Sequence, residues 1–139
     1  MKEKLLSLVA SCLLTLSAQA QTDSTLFNAT VYNKEYNVYL KFNFYKSNIT
    51  VPGQEIFGEI PGFLGDKLDG RKWLITDASI EGNAANLSII NDYGSEDLTA
   101  QLVIEGNQYI LKQLKGSTIK VARNRKWVKL PKTLVFLKK

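Results

Sequence analysis

From Tyr36 to Lys46 the chain reads Y-N-V-Y-L-K-F-N-F-Y-K. Tyr36, Val38, Leu40, Phe42 and Phe44 share one parity, and Asn37, Tyr39, Lys41, Asn43 and Tyr45 share the other. Side chains of an extended strand alternate between two faces, so this run can bury one face and wet the other. A helix through the same residues would scatter its apolar groups around the axis. The β-branched and aromatic residues that fill the run suit a pleated, half-buried surface.

Punctuation along the rest of the chain points the same way. Gly53, Gly62, Gly70, Gly82, Gly94, Gly106 and Gly116 recur at the interval of one short strand plus one reversal. Ile80-Glu81-Gly82-Asn83 is echoed by Ile104-Glu105-Gly106-Asn107, which is read as repeated turn chemistry. No long window holds a helical apolar stripe free of glycine. Strands are expected over Leu26–Tyr32, Tyr36–Lys46, Gln54–Ile60, Arg71–Ile80, Ala84–Asn91, Asp97–Glu105, Gln108–Lys115 and Thr133–Lys138. Thr118–Arg123 and Trp127–Leu130 are expected as a small hairpin around Asn124, and Pro61–Asp66 as a loop. The expected fold is all-β: an antiparallel up-and-down meander of about 8–10 short strands that closes into a barrel, with a two-sheet sandwich as the alternative. Closure removes the exposed edges that a flat sheet of this length would present.

Met1–Ala20 reads as a secretory signal peptide. Lys2 and Lys4 precede the apolar run Leu5–Leu16, and Ala18-Gln19-Ala20 supplies small residues for cleavage before Gln21. Residues 21–139 would then form a single β-barrel domain, exported to the periplasm or the medium, with no transmembrane span. The alternative is a lipoprotein anchored at Cys12, because Val9-Ala10-Ser11-Cys12 resembles a lipobox. Cys12 is the single cysteine, so cleavage would leave a domain stabilised by apolar burial without a disulfide. Asp23-Ser24-Thr25 matches a short O-glycan acceptor pattern.

The layout resembles that of small secreted bacterial meander β-barrels of avidin-like or lipocalin-like type. The residues that carry this resemblance are the Tyr36–Tyr45 strand, L-D-G-R-K-W-L-I at Leu68–Ile75, V-I-E-G-N-Q-Y-I-L-K at Val103–Lys112 and the closing L-P-K-T-L-V-F-L. The lipocalin G-x-W motif is missing near the first strand, so that family's ligand residues do not transfer. W-V-K at Trp127–Lys129 is faintly similar to barrel-type lysozyme inhibitors, which usually bring a Ser/Gly-rich loop and a disulfide that this chain lacks.

Residue types restrict the chemistry. Histidine is absent and the one thiol lies in the leader, which excludes His-based nucleophilic triads and ordinary zinc sites from the exported domain. No phosphate-binding or dinucleotide fingerprint is present, and no cofactor is implied. Asp66, Asp69 and Asp92 are the candidates for a carbohydrate-active enzyme, which needs two carboxylates roughly 5–10 Å apart across a sugar cleft. Asp92, Glu96 and Asp97 are the candidate ligands for Ca²⁺, a hard cation satisfied by loop oxygens. The bland reading of all these acids is solvated turn residues.

Charge is split along the chain. From Asn107 onward there are ten Lys and Arg and no Asp or Glu; before it there are eight basic and thirteen acidic residues. Lys120, Arg123, Arg125, Lys126, Trp127 and Lys129 form the densest patch, a cationic hairpin beside an indole. It is the candidate contact surface for a protein or anionic glycan of the cell envelope; export argues against nucleic acid. The alternative is structural, with late basic strands lying beside early acidic ones and Trp127 covering one barrel end. Tyr36, Phe42, Phe44, Trp73 and Leu102 are the interior candidates, lining either a packed core or a pocket for a small apolar ligand. The expected function is therefore a non-enzymatic binding or inhibitory module. An interior carrier is the alternative, and a small carbohydrate-active enzyme the remote one.

Overall fold

The computed structural model describes residues 25–139. The expected leader, Cys12 and the Asp23-Ser24 part of the acceptor pattern lie outside the described residues. Twelve strands follow in chain order: β1 Asn28–Asn33, β2 Val38–Asn43, β3 Ile49–Thr50, β4 Glu59–Ile60, β5 Gly62–Asp66, β6 Asp69–Glu81, β7 Ala84–Asn91, β8 Asp97–Glu105, β9 Gln108–Gly116, β10 Lys120–Arg123, β11 Lys126–Lys129 and β12 Thr133–Leu137. Eight of them close into an antiparallel barrel in the order β1-β12-β9-β8-β7-β6-β5-β2. Each barrel strand neighbours the next barrel strand in the chain, so the fold is the expected meander. Two hairpins interrupt it: β3–β4 between β2 and β5, and β10–β11 between β9 and β12.

The even positions of β2 point inward, as the alternation requires: Val38, Leu40 and Phe42 are buried. They join Leu64, Ile75, Leu87, Ile89, Leu102, Leu111 and Phe136 in one core. Full burial of each such side chain contributes about 1.5–3 kcal/mol. β2 is shorter than the Tyr36–Lys46 run because Asn residues end it. Asn37 takes a positive φ of 56°, and Asn43 Oδ1 accepts hydrogen bonds from the backbone N–H of Tyr45 (3.1 Å) and Lys46 (3.0 Å). The two I-E-G-N segments both form two-residue reversals, Gly82-Asn83 and Gly106-Asn107, flanked by the pairs Glu81↔Ala84 and Glu105↔Gln108.

Two local expectations are corrected. Pro61–Asp66 is not a loop: Gly62–Asp66 is barrel strand β5, paired with β2 and β6. Its glycines mark close approach. A Cβ at Gly65 would run into the Tyr39 ring, and one at Gly62 would meet the Phe42 Cβ at 2.7 Å. Gln54–Ile60 is not one strand but a 3₁₀ turn over Glu55–Phe57 followed by the two-residue β4. The β3–β4 hairpin lies on the outside of the barrel, where Val51, Phe63 and Leu74 form a second buried cluster with Tyr39, Ile49, Ile60 and Ile90.

The two ends of the barrel are built differently. At one end Phe27, Phe42, Phe44 and Tyr109 pack ring against ring, with centroid distances of 4.9–5.8 Å. The Tyr109 hydroxyl donates to Leu26 O at 2.8 Å and so holds the incoming chain there. At the other end, the mouth, the β1–β2, β5–β6 and β7–β8 connections meet the β10–β11 hairpin. That hairpin forms a separate two-stranded sheet, a lid, whose Val121 is buried in the core beside Ile119 and Leu130 of its two stems.

Candidate functional site

The lid is held by polar contacts that the sequence does not announce. Gln113, buried within the second half of β9, clamps both stems: its Oε1 accepts from Ile119 N–H at 2.7 Å and its Nε2 donates to Pro131 O at 3.1 Å. At the tip, Asn124 and Arg125 both take positive φ (51° and 65°), the geometry of the tight two-residue turn that matches strand twist. Beside it Arg123 reaches across the mouth. Its two terminal nitrogens donate to both carboxylate oxygens of Asp66 (2.7 and 2.8 Å), to Tyr36 O (2.8 Å) and to Ala122 O (2.8 Å). The Asp66 side chain is only 4 % exposed. The hydrogen bonds to Asp66, and its negative charge, hold the Arg123 proton more tightly than usual, against an opposing effect of burial. Arg123 is therefore engaged within the molecule as a latch.

Between the lid, the β5–β6 turn and the β7–β8 loop lies a cleft of about 210 Å³. Its floor is Trp73, which is buried and donates from Nε1 to Lys120 O at 3.2 Å. Its wall is Trp127, 57 % exposed, with the Arg71 guanidinium 5.1 Å and the Lys120 ammonium 5.9 Å from the ring centroid. Arg71 also pairs with Asp69 at 3.1 Å. That hydrogen bond and charge raise its pKa above the ordinary arginine value. Lys120 pairs with Glu96 at 3.0 Å. Asp92 Oδ2 accepts from Lys72 N–H at 3.1 Å, and Tyr93 stands out from the β7–β8 loop. Asn91 stiffens that loop, donating to Ser95 Oγ at 3.0 Å and accepting from Glu96 N–H at 3.1 Å.

The candidate residues thus separate into groups. Lys120 and Trp127 line the cleft. Arg125, Lys126 and Lys129 are exposed on the lid and take part in none of the ion pairs among the described residues. Phe42, Phe44 and Leu102 are buried in the packed core, Trp73 bridges core and cleft, and Tyr36 is half-buried at the mouth. Asp66, Asp69 and Asp92 do meet at one cleft, but Asp66 is taken by Arg123 and Asp69 by Arg71. Among the described residues no group of three or more acidic side chains is placed to hold a metal ion. Glu96 turns instead to Lys120, and Asp92 to a backbone N–H. Arg71, Lys72 and Tyr93 are cleft residues that sequence reasoning missed. They lie more than thirty residues from Trp127 in the chain, and only barrel closure brings them to it.

These features define a class: a closed, eight-stranded antiparallel meander barrel with an inserted hairpin roofing one end. Comparison with protein-family models, with curated proteins and with solved structures gives no match. Among the described residues no helix is long and apolar enough to cross a membrane.

Proposed function

We propose that this protein is an exported, non-enzymatic binding module that grips an anionic partner, a protein or glycan of the cell envelope, at the mouth of its barrel. One observation carries the reading. An exposed indole, Trp127, has Arg71 and Lys120 against its ring and shares the lid with three exposed cations, Arg125, Lys126 and Lys129, that take part in none of the ion pairs among the described residues. A rigid aromatic platform supplies contact area at low entropic cost, and uncompensated surface cations steer an anionic partner toward it. The layout is read as avidin-like or lipocalin-like, supported by the sequential order of its eight strands. The interior-carrier reading draws no support from rings packed 4.9 Å apart.

The test is capture from envelope and secreted fractions, with wild type compared against Trp127→Ala and against Arg125→Glu/Lys126→Glu/Lys129→Glu. The partner should be lost from both variants while their melting curves match wild type. Equal capture by all three proteins would remove the mouth from the argument.

A further inference from the structure

The acids inside the cleft are largely paired with cations, whereas the cations on the exposed tip and outer strand of the lid are not. Lining the cleft are four carboxylates, Asp66, Asp69, Asp92 and Glu96, against three cations, Arg71, Lys72 and Lys120. On the lid, Arg125 at the tip and Lys126 and Lys129 on β11 are exposed and take part in none of the ion pairs among the described residues, with Lys129 on the same face as Trp127 and Lys126 on the other. A carboxylate or phosphate pushed into the cleft would find Arg71 and Lys120 already paired with Asp69 and Glu96, so neither cation is free to offset the hydration it gives up. A hydroxyl-bearing ring meets no such penalty, because each hydroxyl both donates and accepts and can use carboxylate and cation alike. Its apolar C–H face suits the exposed indole of Trp127, and a cleft of about 210 Å³ has room for a unit the size of one sugar ring.

Building on the binding reading given above, we propose that the mouth is a two-part glycan site. An uncharged, hydroxyl-rich sugar face stacks on the exposed part of the Trp127 indole at the edge of the cleft, and an acidic substituent of the same or the neighbouring sugar lies outside it, against Lys129 on the same face and the tip residue Arg125. The partner is therefore an acidic oligosaccharide, not the acidic face of a protein.

Four probes separate these possibilities in calorimetric titrations of the folded protein: oligogalacturonate, a chondroitin sulfate hexasaccharide, the methyl ester of the first, and poly-L-glutamate. At least one acidic glycan should bind. Removing its charge as the ester should weaken binding by about tenfold, and Trp127→Ala should cost a similar factor. Trp127→Phe should retain part of the affinity. Arg125→Gln/Lys126→Gln/Lys129→Gln should erase the preference for acid over ester yet leave ester binding in place. Poly-L-glutamate bound as tightly as the best glycan would overturn the assignment in favour of a protein surface. So would failure of both acidic glycans. If the glycans fail while the natural partner is still lost from the Trp127 and lid-cation variants, the binding module stands and the sugar assignment falls.

Discussion

The two ends of this barrel solve the same problem with different chemistry. One is filled by Phe27, Phe42, Phe44 and Tyr109, whose rings touch and whose removal from water is its own driving force. The other is roofed by a hairpin that buries only Val121 deeply and depends for its position on Gln113 and on the Arg123–Asp66 latch. Non-directional packing fixes a core but presents nothing to a ligand. Directional hydrogen bonds and ion pairs hold side chains at defined positions in a partly wet cleft. That difference places stability at the aromatic end and recognition at the mouth, and each expected effect below bears on it.

The largest effect belongs to the aromatic end. Phe42→Ala should destabilise the fold by about 3–5 kcal/mol in denaturant titration, because the surrounding rings leave a cavity they cannot fill. Next is the latch. Arg123→Ala leaves the nearly buried Asp66 carboxylate without its partner and should cost about 3 kcal/mol. Arg123→Ala/Asp66→Asn should recover part of that loss, and a recovery of zero would mean the latch is not coupled. Gln113→Leu should cost about 1–3 kcal/mol by stranding Ile119 N–H and Pro131 O. Its effect on amide exchange should concentrate in residues 117–132, which would separate local release of the lid from general loosening. The smallest effect on stability is that of reversing Arg125, Lys126 and Lys129, within about 0.5 kcal/mol, although binding should be lost. A large stability loss there would dissolve the contrast between the ends.

Much of the architecture can be read from residue order. The alternation from Val38 to Phe42 dictates which face is inward, and the repeated E-G-N reversals mark where β6 gives way to β7 and β8 to β9. What misleads is glycine. In P-G-F-L-G-D it resembles turn punctuation, but the bare α-carbons of Gly62 and Gly65 make room for Phe42 and the Tyr39 ring on the neighbouring strand. Nothing local distinguishes the two uses. The outer cluster around Val51 is hidden for a related reason: alternation in Arg71–Ile80 sets Leu74 on the face opposite Trp73 and Ile75, but Phe63 lies in the segment read as a loop, and nothing local shows that β3–β4 covers them.

The site is only half legible. The cationic hairpin with Trp127 stands out because its residues are contiguous. That Lys120 and Arg123 are internally neutralised depends on Glu96 of the β7–β8 loop and Asp66 at the end of β5. This partly realises the structural alternative for the charge split, in which late cations lie against earlier acids. Arg71 and Tyr93 enter the site only through the pairing of β5, β6 and β7.

The most direct measurement uses the two tryptophans as reporters. Each indole N–H gives its own resonance: Trp73 is tied to Lys120 O, and Trp127 is open to solvent. On titration with an acidic oligosaccharide, the Trp127 indole should shift most, the Trp73 indole should stay protected from exchange, and the backbone amides of Phe44 and Tyr109 should not move. Binding that leaves Trp127 unmoved, or that shifts the aromatic end instead, would contradict the assignment of recognition to the mouth.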